Sequence, residues 1–476
     1  MEVALVAQVK VKLLIVAFHE SINAIHKLQR ASNIGTAAKI IGGSTIASLF
    51  NFGRNNKGKT KNISKLESRF KHTNTIIIDE VSNLSQIQLA NISETLTRAK
   101  KANASIPFGG VDMLFFGDFL QFPPISGTPL YSRWTQGPDR KNDTPINYKK
   151  KLWSWNMWKN LSHVFFLDEQ HRIEDQQYRN ILDSLREGKC SDDHIKILNS
   201  RVLENDANIT SLSGAPIISP GNELRMSINN LFTHEHSVNK TTYLTTAIYT
   251  RGTTPCSQDL VDFVKNKSNT DTDQIPGQLR MYVGMSVYLS KNKAVELGLT
   301  NGTEGIIKSI HLRNANVTED AGLHVVDFDK ETDYIIVEFK DINMMAPLPG
   351  LLPNQIPITP DKGSFCVNYP KGLKYANGKL KKISVKIEHF PIVPKFGVTA
   401  HKSQGMTLDQ AFVDLNPVTT KPVEINFAYV PLSRVRRLAD IHILRPFPKE
   451  VLQAKLNESC ECMMKEFQDK DFCKDM

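Results

Sequence analysis

The chain is poor in features that would tie it to an oxidising compartment or to a bilayer. Six cysteines are spread over 476 residues. Cys190, Cys256 and Cys366 lie far from Cys460, Cys462 and Cys473, a spacing that supports neither a disulfide framework nor a tetrahedral zinc site. Reduced thiols in an intracellular protein are expected. No apolar run approaches the length that spans a bilayer. The best candidate, LLIVAF at 13–18, follows Lys10 and Lys12 and reads as a core strand rather than as the centre of a signal peptide. Internal repeats and low-complexity tracts are also missing.

What is present is an ordinary globular composition, 40% hydrophobic and 23% charged. The length suits about two to four domains, each with its own core. A formal charge of +10 favours a polyanionic partner, nucleic acid first and an anionic membrane surface second.

Residues 1–170 alternate strand-like and helix-like segments. VKLLIVAF reads as a strand, INAIHKLQ as a helical piece, NTIIIDE at 74–80 as a strand, SQIQLANISETLTRAKKA as an amphipathic helix, and VDMLFFGD at 111–118 as a further strand. This order implies an α/β domain with a mainly parallel sheet. After a loop rich in Gly, Pro and charge at 126–150, KLWSWNMWKNL predicts a helix and VFFLDEQHR a strand. DQQYRNILDSLREG predicts a helix stopped by Gly188. A second α/β unit begins near APIISP at 215–220 and resumes at FGVTAHKSQG, 396–405. Between them, MSVYLS, GTEGIIKSI, YIIVEF and KISVKIEHF predict an all-β insert of small-barrel size.

The chemistry concentrates at strand ends. In NTIIIDE, residues Thr75 to Ile78 suit a strand buried on both faces, and such strands deliver ligand-binding residues at their carboxyl ends. Asp79 there is suited to holding Mg²⁺, and Glu80 to orienting and deprotonating a water. The plainer alternative is a strand end whose acids meet solvent. GDFLQFPPI at 117–125 sends Asp118 and Gln121 from the next strand end, where the Gln121 amide can donate to a γ-phosphate; a Pro-containing turn is the alternative. Arg172 and Arg434 each follow an apolar segment, and a planar guanidinium can clamp phosphate oxygens, although a lone arginine is commonly a surface ion-pair partner. In VTAHKSQGMTL, Thr399, His401, Lys402, Ser403 and Gln404 crowd before Gly405, a row of donors suited to a nucleic-acid backbone or to a polar helix start. Gln404 and Gly405, with Asp118, are expected at a nucleotide. IIGGSTIASLF offers Ser44 and Thr45, either in a backbone-binding loop or in a turn with an N-cap.

Taken in order, AAKIIGGSTIASLF, IIIDEVSNLS, FFGDFLQFPPI, LDEQHR with LDSLREG, NGTEG, FGVTAHKSQGMTL and YVPLSRVRR resemble the Pif family of superfamily-one DNA helicases, related to the RecD group. The resemblance covers about residues 31 to 446. It implies an α/β fold of two RecA-like parallel-sheet motor domains with a small β-barrel insert in the second. The boundaries expected are 1–170 for the first domain, 171–264 with 393–446 for the second, 265–392 for the insert and 447–476 for a helical tail. It further implies ATP between the domains and single-stranded DNA across them. Asp79 would hold Mg²⁺, Glu80 would act as the base, Gln121 would sense the γ-phosphate, and Arg172 and Arg434 would stabilise charge. Ser44, Thr45, Thr399, His401 and Lys402 would contact DNA. Members translocate 5′ to 3′ and separate duplexes, with roles in repair, recombination or telomere maintenance and a nuclear or mitochondrial location. The chain departs from the pattern at Gly35 and Thr36, whose order is reversed, at Ala47 in place of His, and at Pro431 in place of Ala.

A larger departure lies upstream. The family runs a strand like LLIVAF into a GTGKS-type loop and then a helix, but here only His19, Glu20 and Ser21 separate the two, with no Gly or Lys to cradle phosphates. GRNNKGKT at 53–60 satisfies the P-loop pattern, with Lys59 and Thr60 in the active places, yet stands where the family has a variable loop. An ATP-driven helicase and a homologue that binds single-stranded DNA without ATP turnover both remain open. A membrane-surface binder would explain the charge but none of the ordered blocks.

Overall fold

The computed structural model describes residues 3–7, 27–52, 63–133, 144–167, 170–204, 214–294, 297–313, 323–340, 342, 346–370, 372, 380, 382–417 and 423–470. The expected strand LLIVAF, the junction at His19 to Ser21 and the GRNNKGKT segment lie outside the described residues. The chain divides into two compact units, Met1–Leu203 with Ser403–Met476, and Glu204–Lys402.

The first unit is built on a parallel sheet of six strands: β1 Val3–Ala7, β2 Lys27–Ser32, β3 Ser44–Thr45, β4 Thr73–Asp79, β5 Asp112–Gly117 and β6 His163–Phe166. Their spatial order is β3-β2-β4-β5-β1-β6. The run Ile76, Ile77, Ile78 needs apolar cover on both faces because successive side chains alternate across a strand. Ile76 and Ile78 enter the main core with Leu89, Ile92, Phe115 and Trp158, whereas Ile77 packs with Ile41 and Phe116 on the other face. The helix Gln86–Ala99 covers the main core. It starts at a capping box in which Ser85 and Gln88 satisfy each other's backbone N–H groups.

The helix Glu458–Gln468 closes the same core, burying Cys460, Met463 and Phe467. Trp158 sits edge-on to Phe115, Phe119 and Phe467 and donates its indole N–H to the Met463 sulfur at 3.1 Å. One expectation fails here. Lys27, Leu28 and Gln29, read as part of a helical piece, lie in β2, because pairing with β4 along Leu28 to Ser32 outweighs the local helical pattern.

In the second unit, Ile217–Ser219 pairs in parallel with Gly397–Thr399 beside the helix Asn222–His236. The stretch between is rich in strands, as its alternating pattern predicts. Its five-stranded sheet runs Gln355–Ile358, Tyr334–Phe339, Glu304–His311, Ser286–Leu289, Ile392–Pro394 in spatial order, all antiparallel. Among the described residues no pairing joins its two outer strands, and the expected closure into a barrel is not observed among them. A second antiparallel sheet packs Tyr249, Phe365, Val385 and Ile387 into a separate core. His389, fully buried, shares a 2.9 Å hydrogen bond between its Nε2 and the Thr245 hydroxyl, and its Nδ1 lies 2.9 Å from the Pro276 carbonyl.

Candidate active site

The site is assembled at the carboxyl ends of β4 and β5, where parallel strands leave their terminal side chains free of the sheet. β4 ends on Asp79, and Glu80 follows in the left-handed region with φ 55° and ψ 49°. That conformation costs a non-glycine residue about 1–2 kcal/mol and is a mark of a constrained functional turn. The Glu80 N–H donates to Asp79 Oδ1 at 2.9 Å. β5 ends at Gly117, and a Cβ there would lie 2.8 Å from the Val81 nitrogen. Only glycine lets the two strand ends approach this closely.

Both acids are half-buried. Burial first, and then the neighbouring Glu80 charge, push the Asp79 carboxyl up to about 8. Burial raises Glu80 as well, against the opposing pull of a Gln404 hydrogen bond and of the Arg434 and Arg172 charges. Gln404 is fully buried; its Nε2 donates to Glu80 Oε2 at 2.7 Å and to the Ser82 hydroxyl at 3.3 Å. Gly405 follows with φ 77°, and a Cβ there would come 3.5 Å from Glu80 Oε1.

The two expected arginines meet behind the acids. Arg434 is 1% exposed and spends its donors on neutral acceptors: Nε on the Val430 carbonyl at 2.7 Å, Nη1 on Met406 O at 3.4 Å, and Nη2 on the Ser433 hydroxyl at 2.6 Å. Burial, and then the Arg172 charge, bring it down to about 9. Arg172 donates to the Ser433 carbonyl at 3.2 Å, and burial lowers it too. Neither makes a direct bond to a carboxylate among the described residues. The pair therefore acts on Glu80 through space and is under-neutralised, an arrangement that added negative charge would complete.

Asp118 is committed differently from the expectation of a free nucleotide ligand. Its carboxylate accepts from Arg186 Nη1 at 2.8 Å and Nη2 at 3.4 Å, and from the Leu120 N–H at 3.0 Å. Arg186 also donates to the Tyr429 hydroxyl at 2.6 Å and stands 4.9 Å over that ring. Gln121 sits on the turn closed by its own N–H to the Asp118 carbonyl at 3.0 Å, and its buried Oε1 has no hydrogen-bond partner among the described residues.

Sequence reasoning missed Arg186, Tyr429 and Tyr178, whose hydroxyl donates to the Leu432 carbonyl. Arg186 lies in the last turn of the helix Gln176–Arg186, where a basic residue is ordinary cover for the helix dipole. The one available signal was that LDSLREG and YVPLSR belong to the same ordered set of blocks.

Thr45 caps the short helix Ile46–Leu49, its hydroxyl accepting from the Ser48 N–H at 3.2 Å, and Ser44 precedes it half-buried. This is the N-cap geometry given above as the alternative for that block. In the second unit Thr399 is buried at the end of its strand, and His401 and Lys402 lie on the turn Ala400–Ser403. Burial, and then the charge of Arg225, hold Lys402 down to about 8.

The donor set suits a magnesium nucleotide in part. Two adjacent acids raised by burial favour a nearby cation, and under-neutralised guanidiniums favour phosphate oxygens. Among the described residues no cluster of three or more His, Cys, Asp or Glu side chains could hold a metal by itself, so remaining ligands would come from phosphate and water.

A family model described as PIF1-like helicase matches residues 14–196. The chain is 23% identical over 431 residues to the ATP-dependent DNA helicase Pif1 of Bdellovibrio bacteriovorus, covering 88% of this chain and 79% of that one. It is 24% identical over 434 residues to the ATP-dependent DNA helicase PIF6 of Trypanosoma brucei brucei, with 86% of this chain but 46% of that protein covered. Among solved structures, the Pif1 helicase from Bacteroides in complex with ADP-AlF3 and single-stranded DNA superposes with a TM-score of 0.65 at 18% identity, covering 99% of this chain and 94% of that one. The structural likeness establishes the fold.

Proposed function

We propose that this chain, which a PIF1-like helicase model matches over residues 14–196, is a helicase of that family and couples ATP hydrolysis to movement along single-stranded DNA and to the opening of duplex junctions, in the 5′ to 3′ direction. The observation that carries this reading is the Asp79 and Glu80 pair at the end of β4, held by Gln404 and faced by Arg172 and Arg434. Asp79 would hold Mg²⁺, which when bound neutralises phosphate charge. Glu80 accepts the proton of the attacking water; a carboxyl raised toward neutrality is a better base at physiological pH than an ordinary one. Gln404 fixes the orientation of that carboxylate through its 2.7 Å bond. Arg172 and Arg434 supply positive charge where charge develops on the transferred phosphoryl group. Gln121, Gly405 and Asp118 complete the nucleotide surroundings, Asp118 by anchoring Arg186 rather than by touching the nucleotide. Ser44, Thr45, Thr399, His401 and Lys402 are assigned to the DNA. The fold is read as two RecA-like domains carrying a β-rich insert, and the site of action as nucleus or mitochondrion.

The test is DNA-stimulated ATP hydrolysis by the full chain. Glu80→Gln is expected to lower turnover by about 10²–10⁴-fold, the usual contribution of a positioned base, with single-stranded DNA binding retained. One observation favours a second reading, a DNA-binding homologue without turnover: only three residues, none of them Gly or Lys, separate LLIVAF from INAIHKL. DNA binding by the unaltered chain with no detectable hydrolysis would decide for that reading.

A further inference from the structure

The Glu204–Lys402 unit contains a cleft of about 320 Å³ that the helicase reading does not use. It lies between the helix Asn222–His236, the segment 265–269 and the strand Gln278–Tyr282, and is lined by Arg225, Lys265, Lys267 and Arg280, with no carboxylate in its wall among the described residues. Arg225 is the innermost of these cations, 3% exposed. It donates to the Ser268 hydroxyl at 3.3 Å and to Asn269 Oδ1 at 2.7 Å, both neutral. Burial lowers its pKa, and among the described residues no carboxylate pairs with it. Its Nε and the Asn269 Nδ2 are buried donors without partners.

The rim adds charge with little compensation. Lys265 meets Asp262 at 2.6 Å, whereas Lys267 lies 5.1 Å over the Phe263 ring and Arg280 donates to His234 Nδ1 at 2.9 Å. A guanidinium buried without a counter-charge is costly to the fold, and unpaired buried donors add to that cost. Both costs fall if an anion enters the cleft. The surplus of positive charge favours a dianion over a single carboxylate, and donors converging from an inner arginine and two separate rim positions suit tetrahedral oxygens better than a planar pair. The volume is that of a small-ligand site.

We propose that this cleft binds a phosphate group. The group belongs either to a small phosphate compound or to the backbone of a DNA strand. The assignment stands independently of whether the first unit hydrolyses ATP.

The probe is pyrophosphate, titrated calorimetrically into the full chain, with Lys267→Ala/Arg280→Ala on the rim and Arg225→Met inside. Loss of about tenfold or more in affinity in the rim variant is expected, since charge-assisted contacts are removed. If Arg225→Met fails to fold, the rim variant alone decides. Arg172→Ala, in the other unit, separates binding at the candidate active site from binding in the cleft. A second arm measures affinity for a single-stranded oligonucleotide against salt. A slope smaller by about 1 in the rim variant assigns the phosphate to DNA. An unchanged slope with weakened pyrophosphate assigns it to a small compound. Pyrophosphate affinity and salt slope both unaffected by the rim variant overturn the proposal.

Discussion

Asp118 and Arg186 show how much of the candidate site depends on a contact between distant parts of the chain. Asp118 is 5% exposed and Arg186 holds it through two donors, with Tyr429 taking a third bond. Removing one partner of such a pair leaves a buried charge uncompensated, which costs about 3–5 kcal/mol, far more than a surface ion pair contributes. Arg186→Ala is therefore expected to destabilise the first unit by about that amount, and Asp118→Asn/Arg186→Met by less than the sum of the single changes. Urea unfolding followed by tryptophan fluorescence checks this, because Trp153, Trp155 and Trp158 lie in the helix Pro145–Lys159 of the first unit. Equal and additive losses would mean that the pair does not act as one. At this scale Asp79, Glu80, Arg172 and Arg434 were legible because each follows an apolar run that positions it. Arg186 was not, since nothing local distinguishes it from a helix-end cation.

The elements themselves followed from pattern where burial is one-sided or complete. NTIIIDE, VDMLFFGD, YIIVEF and KISVKIEHF all form strands, and Gly188, with φ 65°, ends its helix. Lys27 to Gln29 failed because the short helix-like pattern of INAIHKLQ cannot outweigh a full ladder with β4. The strand Lys382–His389 ends on a residue with a pH consequence. Burial depresses His389 to about 4 from its ordinary 6.5. A folded pKa below the unfolded one means that its contribution is complete above about 6.5 and is lost as pH falls through 4, up to about 3 kcal/mol in all. Hydrogen exchange of the strands around Thr245 and Leu279 is expected to quicken progressively between pH 6.5 and 4, after correction for intrinsic rates. His389→Gln should start weaker at pH 7 and show a flatter profile. A wild-type profile as flat as the variant's would remove His389 as the cause.

For the whole molecule, ordered motifs carried the family resemblance and the parallel-sheet architecture, while chain-distant closure of the core was invisible. The segment 447–476 read as a helical tail, yet the helix Glu458–Gln468 places Cys460, Met463 and Phe467 at 3% exposure or less against Trp158. Losing buried side chains of this kind costs roughly 2–5 kcal/mol each for the larger ones, and a domain has only about 5–15 kcal/mol in total. A chain ending at Asn457 is thus expected to lose the cooperative tryptophan transition of the first unit while the second unit keeps its protected amides. A sharp transition retained in that truncated chain would show that the helix is dispensable.

The same helix bears on how the protein is made. Trp158 leaves the ribosome some three hundred residues before Met463, the partner of its indole N–H. At roughly 5–20 residues per second, the apolar face around Phe115 and Trp158 waits on the order of tens of seconds for its cover. The second unit, contiguous from Glu204 to Lys402, has no such delay and can fold during synthesis. Nascent chains of this protein therefore expose the half that carries the candidate site longest, and that half is where chaperone dependence should concentrate.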